Sequence, residues 1–405
     1  MSHDGPWHDA ARGANLLTDG RAAPTVFARM SARAAELGAM NLGQGFPDTD
    51  PPAVVAEAAV SAIRDGANQY PPGPGTAVLR EAISAHQQDW YGLSWDPAQE
   101  VLVTTGATEA IAATILALVS PGDEVLTLEP FYDSYAAMIA LAGGVHTTVP
   151  MRPGTDEDGN LTITVDPAAL ASAVTDRTRL ILLNTPHNPT GVMLDEATLT
   201  ALVAAAEEHD ALIASDEVYE HLVLEGTHRP VAVLPGAQDR TVTFGSAGKT
   251  FSVTGWKIGW VTARADLVMA ITAVKQWLTF TSGAPFQPAV AAGLAMPPEE
   301  ITAIATDLRE RRDRLVAGLR GAGWLTTVPE AGYFVLADAT PFGEPDAADL
   351  CERLPEEAGV VGIPVSAFQH PGSGDELRSW VRFAFCKDDD TLTEALRRLE
   401  AWARR

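Results

Sequence analysis

The sequence predicts an α/β protein: a large domain with a mostly parallel central sheet flanked by helices, followed by a smaller α+β domain. Short β-rich runs alternate with alanine- and leucine-rich stretches from about residue 95 to 290. Those runs hold few polar residues, the pattern of strands buried on both faces. Beyond about residue 300 the rhythm gives way to charged helices and isolated strand-like runs.

In chain order the strand-like runs are Val101–Thr105, Glu124–Leu128, Leu180–Leu183, Ala211–Ser215, Thr241–Phe244 and Ile258–Thr262. Each is short and bounded by polar or glycine-bearing turns. Helical periodicity marks Gly106–Val119, Ala197–His209 and Ala265–Trp277, which suit crossovers between parallel strands. A charged helix, Glu299–Leu319, then leads to strand-like Tyr333–Ala337 and Val381–Phe385 and a closing helix, Thr391–Ala403. The expected division is an arm over 1–45 that joins the small domain and lacks a convincing strand, a large domain over 46–295, and a small domain over 296–405. The Pro/Gly-rich stretches Asn41–Pro52 and Pro71–Gly75 read as ordered loops.

Composition narrows the function. The 405 residues carry 28 Lys+Arg against 53 Asp+Glu, a formal net charge of −25. So acidic a surface repels phosphate backbones and argues against a nucleic-acid binder. Cys351 and Cys386 are the only cysteines and lie apart in sequence, so neither a disulfide framework nor a metal site is expected. The polar N-terminal stretch has no apolar signal core, and the apolar run at Ala110–Val119 is too short to span a bilayer. The expectation is a cytoplasmic enzyme with no membrane or nucleic-acid partner.

Chemistry-bearing residues collect where the strand-like runs end. Gly106-Ala107-Thr108 opens a helix after the first run and offers free N–H groups and a hydroxyl, a ready anion site. Tyr132 follows the second run and has the shape to stack on a planar ring. Asn188 lies in Asn184-Thr185-Pro186-His187-Asn188-Pro189-Thr190-Gly191 after the third run, and Asp216 and Tyr219 follow the fourth. A carboxylate ending an apolar strand is costly unless it meets a partner, which a protonated pyridine nitrogen would be. Lys249 follows the fifth run in Ser246-Ala247-Gly248-Lys249, with Lys257 eight positions on. An amine becomes a nucleophile when burial or a second cation lowers its pKa. Ser246 and Lys257 suit the same anion as Gly106–Thr108. Arg382 interrupts the apolar run Val381–Phe385 and has the planar fork that grips a carboxylate. In an open α/β sheet, ligands bind beyond the carboxyl ends of the strands, so these segments are expected to form one site.

Asn-x-x-x-Asn-Pro-x-Gly, Asp-x-x-Tyr and Ser-x-x-Lys in this order resemble the class I aminotransferases of fold type I, which depend on pyridoxal 5′-phosphate. The resemblance runs from about Thr25 to Leu399. It implies that Lys249 is the Schiff-base lysine and proton shuttle, Asp216 the pyridine-nitrogen partner, and Asn188 and Tyr219 the contacts of the ring's phenolate oxygen. Gly106, Ala107, Thr108, Ser246 and Lys257 would hold the phosphate, where relatives often have arginine in place of Lys257. Arg382, Asn188 and the backbone of Gly45 would bind the substrate α-carboxylate, and Phe27 would line the side-chain pocket. Tyr70 would reach the phosphate of a neighbouring subunit, which implies a homodimer with shared active sites.

Within the class, Asn41–Asp48 and Ser252–Lys257 resemble the kynurenine, glutamine and methionine aminotransferase group. Asn68–Gly75, Phe131–Tyr135 and Ser282–Pro288 are similar to actinobacterial N-succinyl-diaminopimelate aminotransferases of lysine biosynthesis. The resemblance thus implies ping-pong transfer from N-succinyl-LL-diaminopimelate to 2-oxoglutarate, with kynurenine, glutamine, methionine or aromatic amino acids as alternative donors. Lys275–Pro288 holds no arginine for a second carboxylate, which argues against a dedicated aspartate enzyme. Two other readings are a cysteine-S-conjugate β-lyase and a transcription regulator with an aminotransferase-like domain. The regulator needs a basic DNA-binding segment, and the charge has the wrong sign.

Overall fold

The computed structural model describes residues 5–157 and 159–405. Its centre is a seven-stranded sheet of β1 (Val101–Thr104), β2 (Glu124–Glu129), β3 (Val145–Pro150), β4 (Thr178–Asn184), β5 (Leu212–Asp216), β6 (Thr241–Ser246) and β7 (Gly259–Thr262). The spatial order is β1-β7-β6-β5-β4-β2-β3. From β6 through β3 all neighbours are parallel, whereas β7 runs antiparallel to both β6 and β1. Helices α1 (Gly106–Leu118), α2 (Asp133–Leu141), α3 (Glu196–Glu208) and α4 (Ala265–Leu278) cover the sheet.

Both faces of the sheet are buried. Leu102, Val125, Leu182, Phe244 and Val261 pack with Ala110 and Ile111 of α1 and Leu267 and Ile271 of α4. Leu126, Ile181, Leu183 and Ile213 pack with Leu199, Leu202 and Val203 of α3 on the other face. This double burial is why the central strands read as apolar runs rather than alternating ones. β3 escaped that reading because it is an edge strand, half exposed, with His146, Thr147 and Thr148 in its middle. The hairpin of Arg152–Thr155 with Leu161–Thr164 is likewise only half exposed, with Ile163 buried between threonines.

The antiparallel β7 matters for the site. Ser246 pairs with Gly259 and Gly259 with Thr104, so the segment 247–258 leaves and re-enters the sheet at one edge. That edge is also where β1 hands over to α1.

A second sheet is formed by β8 (Leu325–Thr326), β9 (Phe334–Asp338), β10 (Ile363–Pro364) and β11 (Trp380–Ala384), in the antiparallel order β8-β9-β11-β10. Helices α5 (Pro298–Gly321) and α6 (Asp389–Ala403) pack on it through Leu308, Leu315, Leu319, Leu392 and Leu399. The first 45 residues do contain strands, against expectation, but only two-residue pieces. Leu17–Thr18 pairs with Arg21–Ala22, and Met40–Asn41 pairs in parallel with Val360–Val361. Such ladders leave no periodicity to detect. The helix Val26–Leu37 packs Met30 and Ala34 against Val361, Ile363 and Phe368. No helix among the described residues is long and apolar enough to cross a membrane.

Candidate active site

A cleft of about 190 Å³ opens at the carboxyl edge of β1 and β4–β6, where ligands of open α/β sheets bind. Gly106, Ala107, Thr108, Tyr132, Asn188, Asp216, Tyr219, Ser246, Lys249 and Lys257 all line it. Five segments scattered over 150 residues of chain therefore meet because their strands are neighbours in the sheet.

One end of the cleft is built to accept an anion. Gly106 sits at φ +71°, and a Cβ there would lie 3.2 Å from Lys257 Nζ. Lys257 is itself left-handed at φ 55°, which turns its side chain back over the start of α1. Its Nζ lies 3.5 Å from Thr108 Oγ1. The unpaired N–H groups of the first turn of α1, two hydroxyls and an ammonium converge there.

The middle of the cleft holds Lys249, at the end of the short helix Ala247–Thr250. Its Nζ donates to the Gly45 carbonyl at 3.2 Å and lies 5.5 and 5.3 Å from the ring centres of Tyr219 and Tyr333. Desolvation is the main cause that brings its pKa down to about 8, with Arg382 and Lys257 adding to the effect. Asp216 lies below, buried at the end of β5, and burial pushes its carboxyl up to about 6. Its Oδ2 accepts a 2.5 Å hydrogen bond from the Tyr135 hydroxyl. Asn184 holds the floor: its amide donates to the Asp216 carbonyl at 2.8 Å, and its Oδ1 accepts from the Asn188 N–H at 2.6 Å.

Arg382, on β11, does not itself line the cleft but lies behind Asn188, which does, and is 1% exposed. Its guanidinium stacks 3.8 Å from the Phe334 ring centre, 4.6 Å from Phe368 and 5.3 Å from Phe27. It donates to Asn188 Oδ1 at 2.8 Å and to the Gly43 carbonyl at 2.9 Å, while its buried Nε has no hydrogen-bond partner. A cation this deep meets neutral acceptors only, and burial lowers its pKa to about 10. Gly45 leaves room for the arrangement, since a Cβ there would lie 2.3 Å from Phe334 Cζ.

Phe27 and Gly45 thus surround Arg382 and Lys249 rather than forming a wall of the main cleft. Tyr70 is 84% exposed, away from this chain's own cleft, with its ring 5.8 Å from that of Phe280. Sequence reasoning missed Tyr135, Asn184, Tyr333 and the aromatic cage of Phe334 and Phe368. Two left a local signal. Asn184 precedes Asn188 by four residues, and Tyr135 follows Tyr132 by one helical turn. The Tyr333 hydroxyl, which donates to the Lys249 carbonyl at 3.0 Å, left none.

A sheet that presents a desolvated lysine, a buried carboxylate and an anion cradle at one edge, with an arginine from a second sheet opposite, defines a fold type I transferase. The chain belongs to the class I and II aminotransferase family, whose pattern matches residues 38–399. Such enzymes exchange an amino group between an amino acid and a 2-oxo acid and are generally dependent on pyridoxal 5′-phosphate.

A Mycobacterium tuberculosis protein named "Probable N-succinyldiaminopimelate aminotransferase DapC" is 49% identical over 390 residues, covering 95% of this chain and 97% of its own. Methionine aminotransferase of Escherichia coli is 39% identical, covering 93% and 95%. Among solved structures, N-succinyldiaminopimelate aminotransferase from M. tuberculosis superposes with a TM-score of 0.90 at 49% identity, covering 94% of this chain and 97% of that one.

Proposed function

We propose that the protein transfers the amino group of N-succinyl-LL-diaminopimelate to 2-oxoglutarate, using pyridoxal 5′-phosphate. The observation that carries the reading is Arg382, a buried cation with an unpartnered Nε whose hydrogen bonds go to the neutral acceptors Asn188 and Gly43, with Asp133 acting on it only as a nearby charge. It fits a bidentate α-carboxylate, which both donor and acceptor possess. The choice of donor is supported by the 49% identity to the mycobacterial relative over nearly the whole of both chains.

The donor set also fits the cofactor: the Gly106–Thr108 turn with Ser246 and Lys257 for a phosphate, Asp216 for a pyridinium, Asn188 and Tyr219 for a phenolate oxygen, and Tyr132 for the ring face. When bound, the cofactor supplies an electrophilic carbon and an electron sink for a cleaved Cα–H bond. Lys249 would be the nucleophile that anchors the cofactor and, once displaced by the substrate amine, the base whose Nζ takes up the Cα proton. A pKa of about 8 leaves a useful neutral fraction of this amine near neutrality. Arg382 and Asn188 fix the α-carboxylate, so that the Cα–H bond points at Lys249. The Phe27, Phe334 and Phe368 rings keep water off that contact and strengthen it.

The proposal extends to a homodimer in the cytoplasm, divided into an arm, a large domain from about residue 46 and a small domain from about 296. Tyr70, Trp277, Phe280 and Met269 are 84, 82, 49 and 68% exposed, an apolar surface of the kind partners cover. In this reading Tyr70 reaches the partner's phosphate site. Methionine and kynurenine remain the competing donors, as the names of other relatives suggest.

Donors are compared by kcat/KM with 2-oxoglutarate: succinyl-diaminopimelate, kynurenine, methionine, glutamine and aromatic amino acids. The proposal expects the first to lead by at least tenfold. A lead by any other donor overturns it, and pyruvate and ammonia released from a cysteine S-conjugate without an oxo acid would replace it with the lyase.

A further inference from the structure

Tyr135 is 1% exposed inside the sheet–helix layer, and its hydroxyl reaches Asp216 Oδ2 at 2.5 Å. The opposite oxygen, Oδ1, has only a long 3.5 Å contact with the Val218 N–H, and Asp216 lines the cleft. The two oxygens therefore have separate jobs, one engaged inside the protein and the other left for a ligand. Tyr135 also packs edge-to-face on Tyr132, with ring centres 5.6 Å apart, and so touches the residue proposed for the ring face. We infer that Tyr135 is a positioning residue that holds Asp216 ionised and turned toward the cofactor's ring nitrogen. The inference rests on the aminotransferase reading for its consequence, but the contact itself does not.

The physical case is a competition. Burial disfavours the Asp216 carboxylate and raises its pKa from 3.8 to about 6, while the Tyr135 hydrogen bond works the other way. The remaining groups facing Asp216 are Lys249, which favours its charge, and Glu217, which opposes it; the Tyr132 and Tyr219 hydroxyls stand nearby. Burial keeps the Tyr135 phenol protonated, its pKa held well above 10, so it donates at every working pH. A neutral Asp216 would withdraw the charge that keeps a pyridine nitrogen protonated, and the ring would accept electrons less well.

The sign of the linkage gives a test without activity. The folded pKa of Asp216 is raised, so its burden on stability is absent below about pH 4 and grows as pH rises through about 6. Loss of the hydroxyl in Tyr135→Phe raises that pKa further and enlarges the burden above it. In the cofactor-free chain the deficit in Tm of Tyr135→Phe should therefore be several-fold larger at pH 8 than at pH 5. In an Asp216→Asn background the deficit should be the same at both.

With cofactor, Tyr135→Phe should weaken pyridoxal 5′-phosphate binding about tenfold, shift the pH midpoint of its visible absorbance, and lower kcat with little change in KM. Equal Tm deficits at pH 5 and 8 in the single variant would reduce Tyr135 to packing and overturn the inference. If the wild type fails to bind the cofactor, the aminotransferase reading falls, while the Tm comparison still decides whether Tyr135 governs Asp216.

Discussion

Residues 216–221 carry two buried polar clusters side by side, and only one of them has the makings of an active site. Asp216 and Tyr219 face the cleft with Lys249. Glu217, Glu220 and His221, on the same turn, face inward. Glu217 accepts from the Ser215 hydroxyl at 2.6 Å, the Val231 N–H at 3.0 Å and pairs with His228 at 2.9 Å. Glu220 takes a 3.4 Å contact from Gln87, and His221 meets His86 at 2.8 Å between Nε2 atoms. Burial is as deep in the second cluster as in the first, and shifted pKa values occur in both: Glu220 is pushed up to about 7, by burial and then by Glu217, and His86 down to about 4 by burial. Perturbed ionisation alone does not mark a catalytic site.

What separates the clusters is whether their carboxylates are enclosed by partners of the same chain. Around Glu217 and Glu220, carboxylates meet imidazoles, hydroxyls and amides of the same chain. The donor atoms of His86, Glu220 and His221 lie within 4.8 Å of one another, a spacing a metal ion can use. Yet the two imidazoles sit at hydrogen-bonding distance, and both Nδ1 atoms lack the acceptor that ligating histidines normally engage. In and behind the cleft, by contrast, Lys257 and Arg382 form no salt bridge among the described residues, with Asp133 only a nearby charge for Arg382, and Asp216 presents one oxygen outward. Unmatched charge beside open space is the signature of a ligand site.

The comparison breaks most sharply at Lys249. Lys249→Ala should lower transamination by at least about 10³-fold, the scale of losing a positioned proton shuttle, with an unchanged circular dichroism spectrum. Residual turnover within tenfold of wild type would mean that another amine does the work. Next comes Arg382→Ala, expected to raise KM for α-amino acids roughly 10- to 100-fold, the scale of charge-assisted hydrogen bonds to a carboxylate. Amines without that carboxylate should be affected far less.

The pKa of Lys249 sets a third expectation, milder in size. Only the neutral amine attacks, so uptake of pyridoxal 5′-phosphate by the cofactor-free chain should rise about tenfold per pH unit up to about pH 8 and then level off, followed by absorbance. A flat profile from pH 6 to 8 would contradict the desolvated lysine. The smallest effect on catalysis belongs to the sealed cluster: Glu220→Gln should leave kcat/KM within about twofold. Its signature is in stability. The folded Glu220 pKa is raised from 4.5 to about 7, so the wild type loses stability as pH climbs through that window. The glutamine variant should show a flatter Tm between pH 5 and 8.

Much of this was legible in the primary structure. The central strands announced themselves because burial on both faces removes polar residues from them, and the chemistry stood out because it follows those strands. Edge strand β3 and the two-residue ladders near the N-terminus were not legible, since half-exposed or minimal strands carry no pattern. Nor was the cage of Phe334 and Phe368 around Arg382, because aromatic residues in apolar runs look alike whether they pack on a leucine or on a guanidinium.

By itself the sequence determined which residues are chemically able to act, with the acid at Asp216 and the amine at Lys249 following strand ends and the fork at Arg382 interrupting a strand. Local composition suffices for that, because burial and turn formation are decided within a few residues. The tertiary structure decided which oxygen of Asp216 is engaged by Tyr135, which one is left toward the cleft, and that Glu220 is enclosed while Lys249 borders open space. Those properties depend on desolvation and on partners brought from dozens to hundreds of residues away, and only packing sets them.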